Sequence, residues 1–416
     1  MDAKTKVMYA ENSACNIGSR MTATTDRKGV VTMKTRKKII RVASLLMAVM
    51  MVLSFESCGS KISHKTITVG TEPCPESDFT FELNDDGNSV SITSYTGSRE
   101  DLVFPNTIQG LPVTKIKSAD GEFTKDGQYT NEIVTSVYIP EGIEEIGDEA
   151  FKAFGYLNKI VMKGVTKIGK SAFSGVGNSY YEENGKIIYE SRFEWNNKTK
   201  NWDFSNKGYK FSVDSYPTIE FSPTLKIIGY CAFFNSGFRS IKLPEGLVAI
   251  DSGAFQRSKF DNIDFPSSLK VIGAYAFNES KLKEVRLNEG LEFLGRSAFY
   301  NCNELTSISL PSSLKYVTHY GECEIFKGDK ISAINIPDNF NPVTVPFAEN
   351  DAAFGSGRDS WNPKTQKLSE LFIIPESTLQ SSLQLQRTLN KEILYATYSE
   401  VDKARDTYYL YTRGKK

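Results

Sequence analysis

The chain has 416 residues, and its 50 lysines and arginines balance its 50 aspartates and glutamates, which gives a net charge of +0. A protein that binds nucleic acid needs a positive surplus or a basic stripe to meet the phosphates, so this balance argues against that class. A hydrophobic fraction of 40% is enough for a folded core. The two histidines, His64 and His319, are too few for a site with several histidine ligands, and we expect neither a metal nor a cofactor.

Residues 34–59 have the order of an export signal. A basic cluster lies between Lys34 and Arg41, and an apolar run follows from Val42 to Phe55. This run has about 14 residues, whereas a membrane-spanning helix needs roughly 20. We expect residues 1–57 to be a leader that is removed, with Met33 as the true start, because residues 1–32 do not fit a signal.

A cysteine directly after the apolar run resembles the signal of bacterial lipoproteins, in which that cysteine becomes the lipidated N-terminus. Glu56-Ser57 departs from the two small residues that usually precede it. A plain secretory signal with an unmodified Cys58 is the alternative. We predict lipidation at Cys58, an outer-membrane lipoprotein at the cell surface, and a polar tether within residues 58–78.

The body of the chain repeats one pattern, L-x-x-I-G-x-x-A-F. The pattern occurs six times with conservative substitutions, and four of the five intervals between its phenylalanines are 22 residues long. A fixed period in this range is typical of a solenoid, in which each repeat is one coil. Because no single coil can bury its apolar face, stacked coils should bring these rings into one buried row. The row would contain Phe151, Phe173, Phe233, Phe255, Phe277 and Phe299.

A second segment follows each phenylalanine and alternates apolar with polar residues before a proline, as in Ile241-x-Leu243-Pro244. This alternation predicts a strand that the proline ends. Each coil should therefore contain a strand, a turn, a short extended L-x-x-I-G piece and a tight helical turn at x-x-A-F. The glycine of the motif indicates either a positive φ or a close approach between backbones. One repeat has Asp251 at this position, the glycine row, and we interpret Asp251 as tolerating the left-handed region.

Both motifs, together with the opening segment from Phe79 to Ile116, resemble the BspA-type leucine-rich repeat family of bacterial surface proteins over about residues 79–337. The resemblance implies an α/β repeat fold, a leucine-rich-repeat solenoid that forms a right-handed β-α superhelix with short strands stacked in a parallel sheet. It also implies a surface protein of adhesion or interaction, and it supplies no catalytic residues.

We place the solenoid at residues 79–342 and a divergent capping region at residues 343–416. Within that region, Leu371–Pro375 is a candidate for a last coil, and Ser377–Lys391 has a helical composition.

One interval departs from the period. Phe173 and Phe233 are 60 residues apart, where two coils would give 44, so about 16 residues are inserted. An inserted hairpin is expected at about residues 177–218, with its turn at Glu183–Lys186. Its aromatic residues are ligand-binding candidates because exposed flat rings stack on sugars or peptides, and packing inside the hairpin is the equally favoured alternative. The candidates are Tyr189, Trp195 and Trp202.

The solvent side of the predicted strands presents Lys242, Asp264 and Arg286 in one row. The functional interpretation is a polar recognition face for a ligand. The favoured alternative is a solubilising charge ladder in which neighbouring strands pair opposite charges.

Three further groups are expected to be structural. His319 with Cys323 lacks further metal ligands, and Asn84–Gly87 lacks the spacing of a calcium loop, so a turn is expected there. Cys302 falls in a row of small residues with Ser280 and should be a core thiol.

The sequence therefore predicts an exported surface protein that acts by adhesion or protein interaction, without catalysis. Its expected partners are an extracellular protein or glycan, and the membrane through the lipid, with no nucleic acid. The alternative is a glycan-capture lipoprotein that uses the aromatic residues of the insertion. An enzyme is disfavoured because no convergent set of acids and bases is present.

Overall fold

The computed structural model describes most of the chain from Ile62 onward, and the predicted leader, Met33 and Cys58 lie outside the described residues. Within the described part, no helix is long and apolar enough to cross a bilayer. The described ranges are 62–119, 130–190, 194–196, 201–203, 210–319, 325–327, 330–346, 365–367, 372–373, 386, 392–394 and 398–413.

Short strands dominate the described residues. Those up to the end of the insertion are β1 (Ser63–His64), β2 (Phe79–Leu83), β3 (Val90–Tyr95), β4 (Asp101–Val103), β5 (Thr107–Ile108), β6 (Leu111–Ile116), β7 (Ser136–Ile139), β8 (Glu145–Ile146), β9 (Lys159–Met162), β10 (Lys167–Ile168), β11 (Tyr180–Glu183), β12 (Lys186–Glu190), β13 (Glu194–Asn196), β14 (Asn201–Asp203) and β15 (Lys210–Val213). Those that follow are β16 (Thr218–Glu220), β17 (Ile227–Ile228), β18 (Ala249–Ile250), β19 (Val271–Ile272), β20 (Glu284–Arg286), β21 (Phe293–Leu294), β22 (Ser307–Ser309), β23 (Tyr316–His319), β24 (Phe326–Lys327), β25 (Ala333–Asn335), β26 (Val343–Pro346), β27 (Thr365–Lys367), β28 (Phe372–Ile373) and β29 (Glu392–Leu394). The described α-helices are α1 (Thr130–Ile133) and α2 (Tyr398–Arg413), and Glu76–Asp78 forms a 3-10 turn.

The L-x-x-I-G motifs build the main sheet. Its strands run in the order β2-β3-β6-β8-β10-β17-β18-β19-β21-β23-β26, and β5 pairs with β6. In the repeats the pairing is parallel and keeps the 22-residue register, so that Ile228 lies beside Ile250, and Ile250 beside Ile272. All three isoleucines are fully buried. Each coil therefore places its isoleucine on that of the previous coil.

The predicted row of phenylalanines is confirmed. Adjacent rings lie 5.0 to 5.4 Å apart between centroids, at interplanar angles of 16° or less. The stack continues to Phe326, 27 residues after Phe299, which the repeat pattern did not identify because the interval and the preceding residue both differ. All seven rings are buried, and each of the five inner ones lies between two others, so the stack forms the centre of the core.

The predicted helical turn at x-x-A-F is a series of hydrogen-bonded turns instead. Its amides alternate between two acceptors: Ala232 donates to Gly229 of its own coil, at 3.1 Å, whereas Phe233 donates to Ala254 of the next coil, at 2.8 Å. An α-helix needs every amide to donate within the segment. Because every second amide is used between coils, the α part of the predicted α/β repeat does not form there.

Close packing, rather than positive φ, explains the glycine of each repeat. A Cβ atom on Gly273 would lie 2.4 Å from the Ser252 amide nitrogen, and one on Gly295 would lie 2.2 Å from the Ala274 nitrogen. Positive φ occurs two residues later instead, for example at Tyr275, with φ of 55°. Asp251 has no positive φ, so the interpretation of its place in the glycine row was wrong.

Strands in the second segment of each coil form two separate sheets, β16-β9-β7-β4 and β20-β22-β25. The predicted strand is thus present around Val285 and Ile308, but no strand forms around Ile241 and Ile263. Burial still alternates in those two coils, with Ile263 buried and Asp264 exposed. The coil keeps its packing there without ladder hydrogen bonds.

The insertion is longer than the sequence interval suggested. Strand β10 pairs directly with β17, and the ring of Phe173 stacks on that of Phe233, so the two coils are consecutive. One period accounts for 22 of the 60 residues, and 60 − 22 leaves 38 inserted residues rather than 16. The predicted turn is present, with φ of 51° at Asn184 and 72° at Gly185 and a direct pair between Glu183 and Lys186.

The segment predicted as a tether is part of the folded body from Ile62 onward. Strand β1 pairs in parallel with β15 of the insertion. Further along, Ile67 and Cys74 are buried, at 5% and 2% exposure. The apolar side chains of this segment explain its packing, since their burial is favourable.

Two described elements of the capping region join the main sheet: β26 forms its last strand, and α2 packs against it. Helix α2 places Ala404 and Tyr408 on Ala249, Val271 and Phe293 in a second, smaller apolar cluster. Strand β28, within the candidate last coil, pairs in parallel with β24. The predicted helical segment Ser377–Lys391 lies outside the described residues except for Gln386, which is helical.

Candidate ligand groove beside the insertion

The insertion folds into a sheet of its own, ordered β1-β15-β12-β11. Its apolar side chains form a small core that includes Ile67, Tyr189 and Phe211. Tyr189 is fully buried, stacks on Phe211 at 5.3 Å and 12°, and lies with its hydroxyl 3.4 Å from the Asn158 amide. Burial raises the pKa of its phenol. Tyr189 therefore cannot contact a ligand, which corrects its assignment as a binding residue.

Trp195 and Trp202 occupy directly opposed positions of a two-stranded hairpin, β13-β14. The two positions are therefore neighbours, as opposed residues of an antiparallel pair have closely spaced Cβ atoms. Their side chains lie outside the described part of the structure, so their role as ligand contacts stays a prediction.

A groove of about 450 Å³ lies where the end of the insertion meets the following coils. We call it the junction groove. Its walls combine one tyrosine with cations and carboxylates from four successive coils, and they are Tyr216, Arg239, Lys259, Asp261, Lys281, Lys283 and Glu304.

Repeat geometry places the charged residues of the junction groove. Lys259 and Lys281 occupy equivalent positions in consecutive coils, as do Arg239, Asp261 and Lys283. Equivalent residues of stacked coils lie about 5 Å apart along the stack. The 22-residue spacing of these charged residues is visible in the sequence. The row considered above, which contains Lys242, lies three residues further along each coil, on the strand face.

The insertion fixes one wall of the junction groove through Arg239. Its guanidinium forms an ion pair of 2.7 Å with Glu182 on β11 and lies 4.9 Å from the centre of the Tyr216 ring. Its Nε donates to the hydroxyl of Tyr180 at 3.2 Å, and that hydroxyl donates to the Gly237 carbonyl at 3.1 Å. These contacts hold the insertion against the coil, so the groove is a preformed feature.

Lys259 is the partly buried cation of the junction groove. Its Nζ lies 4.5 Å from the centre of the Tyr180 ring, a cation–π distance. Burial and the nearby charge of Arg239 lower the pKa of the Lys259 ammonium, because both disfavour its charged form. An anion in the groove would oppose both effects.

The predicted strand-face row is exposed at Lys242, Asp264 and Arg286. The expected charge pairing along it does not form as predicted, since Arg286 pairs with Glu284 of its own strand, at 2.8 Å. Pairing between coils occurs elsewhere: Lys283 meets Asp261 at 2.7 Å, and Arg257 meets Glu279 at 2.9 Å. None of the three residues of the predicted row lines the junction groove.

A second cavity, of about 620 Å³, opens on the main sheet at the end of α2. Lys167, Lys170, Asp251 and Tyr408 are among its lining residues. Its charged groups are engaged: Lys167 pairs with Glu145 at 3.3 Å, and Asp251 accepts a hydrogen bond from Tyr408. We therefore interpret this cavity as the space left where α2 packs on the main sheet.

Two of the groups expected to be structural, Asn84–Gly87 and Cys302, lie in the described part of the chain and have structural roles. The Asp86 carboxylate accepts hydrogen bonds from the backbone amides of Asn88 and Ser89. These bonds stabilise the turn expected at Asn84–Gly87, and they lower the pKa of Asp86. Cys302 is a fully buried thiol, 3.2 Å from the Ser280 hydroxyl, and burial raises its pKa to about 11. The side chains of His319 and Cys323 lie outside the described residues. Among the described residues, no group of three His, Cys, Asp or Glu could hold a metal ion.

Stacked coils with a 22-residue period, parallel two-residue strands and a continuous core define a leucine-rich-repeat protein. Residues 124–216 and 207–321 match the family described as the BspA type leucine rich repeat region, in six copies. The repeats of this chain belong to that family.

Solved structures with a similar chain are also leucine-rich-repeat proteins. A leucine rich cell surface protein from Faecalibacterium prausnitzii is 18% identical, with 67% of this chain and 77% of that chain covered and a TM-score of 0.40. A leucine rich repeat protein from T. pallidum is 21% identical, with 69% and 95% covered and a TM-score of 0.29. One from Bacteroides ovatus is 19% identical, with 64% and 77% covered and a TM-score of 0.29. No curated protein matches the sequence.

Proposed function

We propose that the protein is an exported adhesion and interaction module of the cell surface, which binds an extracellular ligand and performs no chemistry. The observation that carries this proposal is the junction groove, a concave, charged surface built jointly by the insertion and the repeats. Leucine-rich repeats of this kind are stacked units whose insertions fall on one face, often the binding face.

Preorganisation supports the binding role. Coils of the groove rest on the buried phenylalanine stack, and the insertion is tied to them through Arg239 and Tyr180. A surface that is already ordered loses little conformational entropy when a ligand binds, which favours affinity.

The location at the surface rests on the export signal and on lipidation of Cys58. Labelling cells with a radioactive fatty acid tests the lipid. The wild type and a Cys74→Ser variant should be labelled, and a Cys58→Ser variant should not be labelled and should leave the membrane fraction. Equal labelling of Cys58→Ser would contradict the anchor.

Adhesion is tested with a strain that lacks the gene. The deletion strain should bind less to immobilised extracellular matrix and epithelial surface glycans, and the wild-type gene should restore binding. A gene that encodes Lys259→Glu and Lys281→Glu should fail to restore it, whereas one that encodes Lys226→Glu, at an exposed lysine outside the groove, should succeed. Unchanged adhesion of the deletion strain would refute the proposed function.

A further inference from the structure

We propose that the junction groove binds the carboxylate of an acidic sugar, such as a uronic acid unit of an extracellular glycan. The inference rests on the proposed function and specifies its ligand. The residues that would hold the carboxylate are Lys259 and Lys281, which we call the lysine pair.

The lysine pair comes from one position of two consecutive coils. Each lysine directly follows a buried serine of the same row, Ser258 or Ser280, both only 2% exposed. The backbones that carry the two ammonium groups are therefore about one coil apart, close to 5 Å. Long flexible side chains from backbones at this spacing can bring both ammonium groups to one carboxylate, to which each can donate.

The lysine pair forms no direct ion pair in the groove, although the charge of Glu182 acts on Lys259 and that of Glu304 on Lys281. Each nearby carboxylate already has a cation: Asp261 pairs with Lys283 at 2.7 Å, Glu182 with Arg239 at 2.7 Å, and Glu304 with Lys330 at 2.6 Å. Across the described residues, neither member of the lysine pair forms an ion pair within 4.0 Å. The groove thus presents two cations that have no carboxylate in direct contact among the described residues.

Burial makes this arrangement unfavourable without a ligand. Lys259 is partly buried over the Tyr180 ring and stands beside a second cation, Arg239. Taking a charge out of water costs free energy unless an opposite charge meets it. A bound carboxylate would supply that charge, which is a reason for the groove to select an acid over a neutral molecule.

The lining favours a sugar over an acidic peptide. All seven lining residues are charged or tyrosine, and none is aliphatic. Protein partners are usually held by several buried apolar and aromatic anchors, whereas Tyr216 is the single aromatic residue of this lining. A sugar acid instead offers hydroxyl groups, which can donate to Asp261 and Glu304 while its carboxylate meets the lysine pair.

The test is titration calorimetry of the full-length protein with trigalacturonic acid. Its methyl ester is the matched neutral ligand, 3′-sialyllactose tests a second acidic sugar, and hexaglutamate tests an acidic peptide. The acid should bind, and the ester should bind about 10- to 100-fold more weakly, as expected for lost charge-assisted hydrogen bonds. Sialyllactose binding without trigalacturonate binding would change the sugar but keep the acidic-glycan class.

Variants locate the site. Lys259→Gln with Lys281→Gln should weaken binding of the acid to the level of the ester, and Lys226→Gln, at an exposed lysine outside the groove, should leave it unchanged. Lys281→Gln alone is the safeguard for folding because Lys281 is exposed, and it should lower affinity by about tenfold. Thermal melting must show that the variants fold.

Three results would overturn the inference: equal affinity for acid and ester, equal weakening by Lys226→Gln, or binding of hexaglutamate alone. Adhesion in the strain assay without any acidic-sugar binding would leave the proposed function standing and refute this inference. If the protein binds the acidic sugar but its deletion leaves adhesion unchanged, this inference stands and the proposed function is refuted.

Discussion

The phenol of Tyr408 donates a hydrogen bond to the carboxylate of Asp251, 157 residues earlier in the chain. Asp251 is the member of the glycine row that is not glycine, and the same carboxylate accepts the Ser252 amide at 2.6 Å. Burial under the helix raises the pKa of Asp251. The departure from the repeat thus marks the point where α2 docks on the sheet.

Tyr408→Phe should lower the free energy of unfolding by about 1–3 kcal/mol, because it leaves the Asp251 carboxylate short of a partner. Urea denaturation of the full chain measures the loss. Asp251→Gly combined with Tyr408→Phe should cost less than the sum of the two single changes, since the pair interacts directly. Tyr411→Phe on the same helix is the control, as no described hydrogen bond involves its hydroxyl. Strict additivity of the double variant would contradict the contact.

Phe255→Ala should destabilise the protein by about 3–5 kcal/mol, because it opens a cavity between two stacked rings. The neighbouring rings are Phe233 and Phe277, with centroids 5.3 and 5.4 Å away. Leu83→Ala, at a side chain that is 57% exposed, is the control and should change stability by less than about 0.5 kcal/mol. Thermal and urea unfolding measure both. A loss below that of a surface change would show that the stack does not support the core.

Gly273→Asn and Gly185→Asn separate the two reasons for a glycine. Gly273 has no room, since its Cβ would meet the Ser252 amide nitrogen at 2.4 Å, so Asn should cost about 1–3 kcal/mol. Gly185 has φ of 72° and open space, and Asn adopts that conformation readily, so Asn should be nearly neutral there. Melting temperatures of the two variants give the comparison. Equal effects would mean that the close approach between coils is not what requires the glycine.

Glu132→Gln should make the protein less sensitive to pH. Burial raises the pKa of Glu132 from 4.5 to about 7, so between these values the folded state binds the proton better than the unfolded state. Stability from this group is therefore full below about pH 4.5 and is lost as the pH rises to about 7. The variant should melt above the wild type at pH 8 and close to it at pH 4. Glu141→Gln, at an exposed carboxylate, is the control, and a variant that melts lower at pH 8 would contradict the burial of Glu132.

Periodicity predicted the parts of the fold that repeat at short range. The 22-residue interval placed Phe233, Phe255 and Phe277 in one buried row, and the alternation of apolar and polar residues after the phenylalanines located β20 and β22. The same interval failed at the insertion, because 60 residues fit either two coils with a short insertion or one coil with a long one. Only the direct pairing of Lys167 with Ile227 decided between them.

The candidate site was predicted less well than the fold. Aromatic composition favoured Tyr189 as a ligand contact, but a strand of the insertion buries every second side chain in its own core. The charged rows of the groove were visible in the sequence, yet nothing in it brought Tyr180 over Lys259.

By itself, the sequence determined the repeat, the buried rings and the position of the insertion, because each depends on spacing that recurs within one or two coils. Only the tertiary structure decided how segments without a shared period meet, namely the junction groove and the seat of α2 on Asp251. Such contacts depend on where separate elements pack to bury apolar surface, and no local pattern records that choice.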